Sequence, residues 1–189
     1  MNSTGKHVLF IHGAGTGAYD EDQKLADDLQ QRLGPDYTVN YPAMENEEDA
    51  DYETWAHQIE EVLAKEEDAV ILVGHSVGAS VIIKLLSERE IRRIITGVCL
   101  ISAPFWGGTN GWTYEGYRTL ELPPDTTIKL PEAVPIFFYH SRDDQTVPFI
   151  HLSFYAEKIA RAQLRELDGR GHQLNNDLSE VADDIKKVL

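Results

Sequence analysis

The segment Val70-Ile71-Leu72-Val73-Gly74-His75-Ser76-Val77-Gly78, continued by Val81, Ile82, Leu85 and Leu86, decides the reading of this 189-residue chain. Its first four residues are apolar on both faces, as a strand covered on two sides must be. From residue 77 to 89 the apolar positions recur at i, i+1, i+4 and i+5, a stripe that faces a sheet from a helix. Between strand and helix stands G-x-S-x-G, with glycines at 74 and 78 around Ser76. A turn this sharp holds its serine in a sparsely populated backbone region and brings neighbouring chain so close that side chains would collide. The two glycines remove those collisions. The helix that follows aims its free N–H groups and positive end at the serine, where a negative oxygen can be held.

Working outward, similar apolar runs occur at 8–11, 37–41, 69–73, 95–101 and 134–139, and Gln163-Leu164-Arg165-Glu166-Leu167 alternates as a half-exposed edge strand does. Helical periodicity fills the intervals 21–33, 53–65, 77–89, 149–161 and 175–189, the last opening on Asn175-Asn176-Asp177 as a cap. This alternation predicts an α/β fold: one domain over 1–189, with a doubly wound, mostly parallel sheet of about six strands and helices on both faces. Residues 102–134 resist the pattern. They hold four prolines, four glycines and the aromatics Phe105, Trp106, Trp112, Tyr114 and Tyr117, a long connection of the kind that is usually functional or mobile. The acidic run 45–51 reads as a solvated loop.

Seventeen Lys and Arg against 32 Asp and Glu give a net charge of −15. So acidic a chain repels phosphate backbones and anionic lipid, so neither nucleic acid nor a membrane surface is expected as a partner. The one cysteine, Cys99, cannot form an intrachain disulfide. Met1–Lys6 is too short to hold a signal sequence before the first apolar run, and no run approaches the roughly 20 residues that cross a bilayer. A cytoplasmic location is therefore expected. No H-x-x-x-H or C-x-x-C spacing suggests zinc, and no metal or organic cofactor is expected.

A nucleophilic serine needs a base, and the base a carboxylate to orient it. In a parallel sheet both come from loops at the carboxyl ends of later strands. One such loop reads His140-Ser141-Arg142-Asp143-Asp144-Gln145-Thr146-Val147-Pro148, and another Asp168-Gly169-Arg170-Gly171-His172. The chain order is then Ser76, an aspartate at 143 or 144, and His172. Other histidines fit less well: His7 and His57 suit an edge position and an exposed helix face, His140 a strand end, His151 a helix. His75 points away from the serine by alternation and suits support of the turn.

These motifs, spread over nearly the whole chain, resemble the α/β-hydrolase superfamily, and the small size resembles its retinoblastoma-binding-protein-9-like serine hydrolases. Acid loops of that superfamily often read G-x-x-D-x-x-V-P. Here Ser141 replaces the glycine and Asp144 to Pro148 fit the rest, so the resemblance favours Asp144 over Asp143. It also implies that His12-Gly13 shapes a loop lending an oxyanion N–H, with Ala14 as donor, Gly15 as fallback and Val77 as the second donor. Segment 102–134 falls where the superfamily places its cap, here a reduced one. Trp106, Trp112 and Tyr114, with Tyr117, are candidates to wall a substrate pocket. The implied reaction is hydrolysis of a small ester or other compact acyl compound through an acyl-serine, with a small-molecule acyl substrate and no known protein partner.

Two other readings compete. Gly13, Gly15 and Ala18 match G-x-G-x-x-A, the dinucleotide-binding loop, but Asn40-Tyr41-Pro42 stands where that loop's ribose-binding acid belongs. Alternatively the chain is a protein-binding module that keeps the hydrolase fold with weak catalysis. The L-x-C-x-E signal of retinoblastoma binding is absent, since Cys99 lies in an apolar run.

Overall fold

Strand β3, Val70–His75, divides the core in two by alternation. Val70 and Leu72 face one hydrophobic cluster, and Ile71 and Val73 face the other. The same parity holds along β1, Lys6–Ile11, where Leu9 and Ile11 oppose Val8 and Phe10, along β5, Ile136–Ser141, and from Val98 onward in β4, Ile95–Ile101, whose start is shifted in register against β3. Every central strand therefore buries both faces, which is why each holds a run of consecutive apolar residues. The computed structural model describes residues 6–108 and 111–188; Met1–Gly5, Leu189, and Thr109 and Asn110 of the 102–134 segment lie outside the described residues.

With β2, Tyr37–Asn40, and β6, Gln163–Leu167, the strands form one six-stranded sheet of order β2-β1-β3-β4-β5-β6, all neighbours parallel. The doubly wound reading holds, and β6 is an edge strand as its alternation indicates. Helices α2, Tyr52–Lys65, α3, Val77–Glu88, and α4, Ile150–Lys158, bury Trp55, Ile82 and Tyr155 against one face. Helices α1, Ala18–Leu33, and α5, Ser179–Val188, bury Leu25, Leu29, Val181 and Ile185 against the other. Strand order reverses between β1 and β3, so the carboxyl ends of these two strands flank the crevice where doubly wound sheets bind ligands.

Two expectations need correction. Helix α5 begins at Ser179 rather than near 175, because Leu174, Asn175 and Asn176 adopt positive φ of 44°, 55° and 55°, which no right-handed helix accommodates. The Asp177 carboxylate instead accepts a bond from Ser179 N at 3.0 Å. The acidic run 45–51 is more than a solvated loop. Glu47 lies across the start of α1, its carboxylate accepting from Gly17 N at 2.8 Å and Tyr19 N at 2.7 Å. A negative group at a helix N-terminus is stabilised by the free N–H groups there.

Among its described residues, segment 102–134 contains one 3-10 stretch, Glu115–Leu120. It lies against α3: Lys84 Nζ donates to Glu121 O at 2.7 Å, Lys129 N donates to Leu86 O at 2.7 Å, and Phe105, Trp106 and Leu120 join the core on that face. Among the described residues no helix is long and apolar enough to cross a membrane.

Candidate active site

Ser76 occupies the turn between β3 and α3 with φ 51° and ψ −122°, a conformation that L-residues rarely adopt. The flanking glycines show why the turn tolerates nothing larger. A β-carbon on Gly74 would lie 2.8 Å from the backbone of Ala79, and one on Gly78 would lie 2.3 Å from the His12 carbonyl oxygen. Ser76 N donates to Ile101 O at 2.9 Å, which ties the turn to the end of β4.

The two later loops meet beside it. His172 Nδ1 lies 2.8 Å from Asp144 Oδ2, and the other carboxylate oxygen accepts from Thr146 N and Val147 N, both at 2.8 Å. His140 Nε2 lies 3.2 Å from the same Oδ2. Burial opposes ionisation of Asp144, but the bonds from His140 and His172 outweigh it and hold the carboxyl far below its ordinary range. Its neighbour Asp143 turns away from the imidazole. Asp143 accepts from Ser141 Oγ and, at 3.1 Å each, from Arg170 N and Gly171 N, so it pins the histidine loop from outside. Burial lowers the pKa of His172, with the nearby His75 ring adding to the effect and the Asp144 bond opposing it. The ring is therefore neutral at neutral pH. With Nδ1–H directed at Asp144, its Nε2 carries the lone pair, as a general base requires.

Ser76 and His172 line one cavity of about 250 Å3 together with Gly13, Ala14 and Thr146. Among the described residues no hydrogen bond joins the serine hydroxyl to the imidazole, a bond that commonly forms or tightens only when substrate is present. Gly13 abuts the serine, since a β-carbon on it would lie 3.2 Å from Ser76 Cβ.

The loop after β1 is held by His12, fully buried. Met44 N donates to its Nε2 at 2.9 Å, so Nδ1 carries the proton and donates to Gly13 O at 2.6 Å. Of the loop's N–H groups, that of Gly15 is engaged by Glu47 O at 2.7 Å, which removes Gly15 as a donor. Ala14 N makes no hydrogen bond among the described residues. Val77 N, first in its helix, has no partner within the helix either. The Glu47 carboxylate occupies the α1 terminus on which a dinucleotide pyrophosphate would rest, which disfavours that reading of the glycine loop.

Trp106, Trp112 and Tyr114 line a different cavity, of about 650 Å3, with Tyr117, Glu48 and Asp49. They are not among the residues lining the cavity at Ser76. Trp106 Nε1 donates to Ser80 Oγ at 3.1 Å, one turn along α3 from Ser76. Among the described residues no group of three or more His, Cys, Asp and Glu side chains could hold a metal ion.

The sequence model of the serine hydrolase family matches residues 12–179, an interval that runs from the His12 loop past His172. The chain belongs to the serine hydrolase family. No curated protein matches it significantly. Among solved structures it is similar to the ydeN gene product of B. subtilis, at 22% identity and a TM-score of 0.73, covering 97% of this chain and 98% of that one. A serine hydrolase of the polyaromatic-hydrocarbon-degrading Cycloclasticus zankles is similar at 17% identity and 0.70, over 96% and 88%. Est1E of Butyrivibrio proteoclasticus, solved with ferulic acid bound, follows at 16% and 0.66, over 98% and 88%. At such identities the likeness concerns the α/β-hydrolase fold.

Three residues of this serine hydrolase that build the site carry no motif. Asp22, in the second turn of α1, takes Gly13 N at 2.8 Å and His75 Nδ1 at 2.7 Å. Gln173 Nε2 donates to Asp22 at 3.0 Å, and Ser102 Oγ donates to His172 O at 2.9 Å. The only available signal is an apolar-face position on α1 filled by an aspartate.

Proposed function

We propose that this serine hydrolase cleaves small esters, or other compact acyl compounds, through an acyl-serine formed on Ser76. His172 takes the hydroxyl proton as Ser76 attacks the carbonyl, and Asp144 fixes the imidazole tautomer and steadies the imidazolium that results. The N–H groups of Ala14 and Val77 hold the oxyanion, each such donor being typically worth about 3 kcal/mol in the transition state. His172 returns the proton to the leaving group, then activates the water that clears the acyl-serine. The observation that carries the reading is the imidazole of His172, held at Nδ1 by Asp144 while it shares a cavity with Ser76.

The cavity of Trp106, Trp112 and Tyr114 is proposed as the seat of the substrate portion beyond the carbonyl, with 102–134 as a reduced cap on a single domain. Its two carboxylates, Glu48 and Asp49, favour neutral or cationic groups over anionic ones. The small size and reduced cap suggest the retinoblastoma-binding-protein-9-like branch, and the lone cysteine suits a cytoplasmic setting. No nucleic acid or membrane takes part in this reading. A panel of chromogenic esters of graded acyl length, run beside a thioester and an aminopeptidase substrate on wild type and Ser76→Ala, tests it. Turnover of short esters that disappears in Ser76→Ala is expected. A folded wild type inert to the whole panel would favour the weakly catalytic binding module.

A further inference from the structure

Beneath the reacting groups lies a second histidine–carboxylate pair that the proposed reaction does not use. Asp22 and His75 are both fully buried, 1% exposed each. His75 Nδ1 lies 2.7 Å from Asp22 Oδ2, and His75 Nε2 lies 3.2 Å from the backbone oxygen of His172. Gly13 N and Gln173 Nε2 both donate to Asp22, which favours its ionised form, and an ionised carboxylate and a backbone carbonyl can only accept. A neutral imidazole has one N–H and would set a lone pair against one of the two oxygens, so only a ring protonated at both nitrogens satisfies both contacts. Asp22 also accepts from Gly13 N at 2.8 Å and Gln173 Nε2 at 3.0 Å, so three donors stabilise its charge.

We propose that Asp22 and His75 form a buried ion pair that positions the hydrolytic site and sets the charge beside its base. The pair joins the loop after β1, through Gly13, to the nucleophile turn, which His75 precedes, and to the loop after β6, through His172 and Gln173. The His75 and His172 rings lie 4.8 Å apart between centroids, so a permanent cation at His75 discourages a second one at His172. The titratable groups facing His75 are Asp22 from α1, His172 from the loop after β6, Asp144 from the loop after β5 and the buried His12 from the loop after β1. Burial works against the charged ring, but the Asp22 carboxylate outweighs it and raises the His75 pKa. Burial likewise opposes ionisation of Asp22, and His75 brings that carboxyl down to about 2. Asp22 and His75 are positioning residues; this inference rests on reading Ser76 as nucleophile and His172 as base.

Proton-coupled 15N spectra of histidine-labelled wild type at pH 7.5, with His75 assigned by its loss in His75→Gln, test the pair without disturbing it. Two protonated ring nitrogens on His75 are expected, and a nitrogen without a proton overturns the proposal. His75→Gln removes the cation but keeps an N–H. Its pH profile of kcat/KM should move its midpoint upward by about one pH unit. A fall in kcat with the midpoint unmoved is what a merely structural role would give, and it overturns the electrostatic half. Serine-directed labelling of the same wild-type sample separates the two readings. Protein that labels at Ser76 while His75 is singly protonated refutes the ion pair and leaves the hydrolase intact.

Discussion

Gly78 faces the His12 carbonyl so closely that a β-carbon on it would lie 2.3 Å from that oxygen and 2.6 Å from Ile11 O. The start of α3 is thus pressed against the end of β1, which is how the turn carrying Ser76 reaches the loop carrying Ala14. Gly78→Ala can be accommodated only by moving backbone, and it should cost about 2–3 kcal/mol in urea unfolding. Gly17→Ala meets no atom within 4 Å and carries only the strain of φ +79°, about 1 kcal/mol. A Gly78→Ala protein as stable as Gly17→Ala would contradict this packing.

Asp144→Asn keeps the volume of the side chain but stabilises the wrong imidazole tautomer, and kcat should fall by about 10^3–10^4. Asp143→Asn leaves the Asp144–His172 contact in place and weakens only the outer tie to Arg170 N and Gly171 N, so a loss of about tenfold or less is expected. Steady-state rates of the two variants decide which aspartate serves the histidine.

In the proposed reaction the base works unprotonated, so kcat/KM should rise with pH as His172 loses its proton. Because burial lowers the His172 pKa below the ordinary 6.5, the midpoint should lie on the acid side of that value. A rate profile from pH 4.5 to 8.5 reads it directly, and a midpoint above 6.5 would be incompatible with the buried ring.

Asp22 and His75 give stability opposite pH slopes. The Asp22 carboxyl, held at about 2, contributes stability above its ordinary value near 4. That contribution, about 2 kcal/mol, is lost as pH falls from about 4 to 2. His75, raised, contributes in acid and loses its contribution as pH rises through its folded value. Urea midpoints from pH 2 to 5 should therefore fall less steeply in Asp22→Asn than in wild type.

The cavity beside Trp106 carries two carboxylates on a chain of net charge −15. Esters with an anionic acyl group should react about tenfold more slowly than neutral isosteres at low ionic strength, the gap narrowing with salt. Glu48→Gln with Asp49→Asn should narrow it further, and equal rates in the wild type would move the substrate elsewhere.

What the sequence discloses follows from how local the cause is. The strands are legible because a parallel sheet buries both faces, so residues 70–73 and 98–101 read as unbroken apolar runs. Ser76 and Asp144 are legible as candidates because each follows such a run, and His172 because it follows the alternating strand Gln163–Leu167, all in loops with their own glycine or proline signature. Asp22 is not, because its partner His75 lies 53 residues away and its place on the apolar face of α1 does not say what the carboxylate would pair with. Glu47 hides in an acidic run whose composition matches a solvated loop, although the start of α1 recruits it. The beginning of α5 is not legible because it is set by residues at positive φ, a conformation that Asn175 and Asn176 tolerate but do not advertise.

The most direct test of the central claim is intact-mass and peptide mapping of the wild-type protein after reaction with a fluorophosphonate. One adduct per chain, on the peptide containing Ser76 and absent from Ser76→Ala, is the expected result. Folded wild-type protein left unmodified, or modified at another residue, would contradict it.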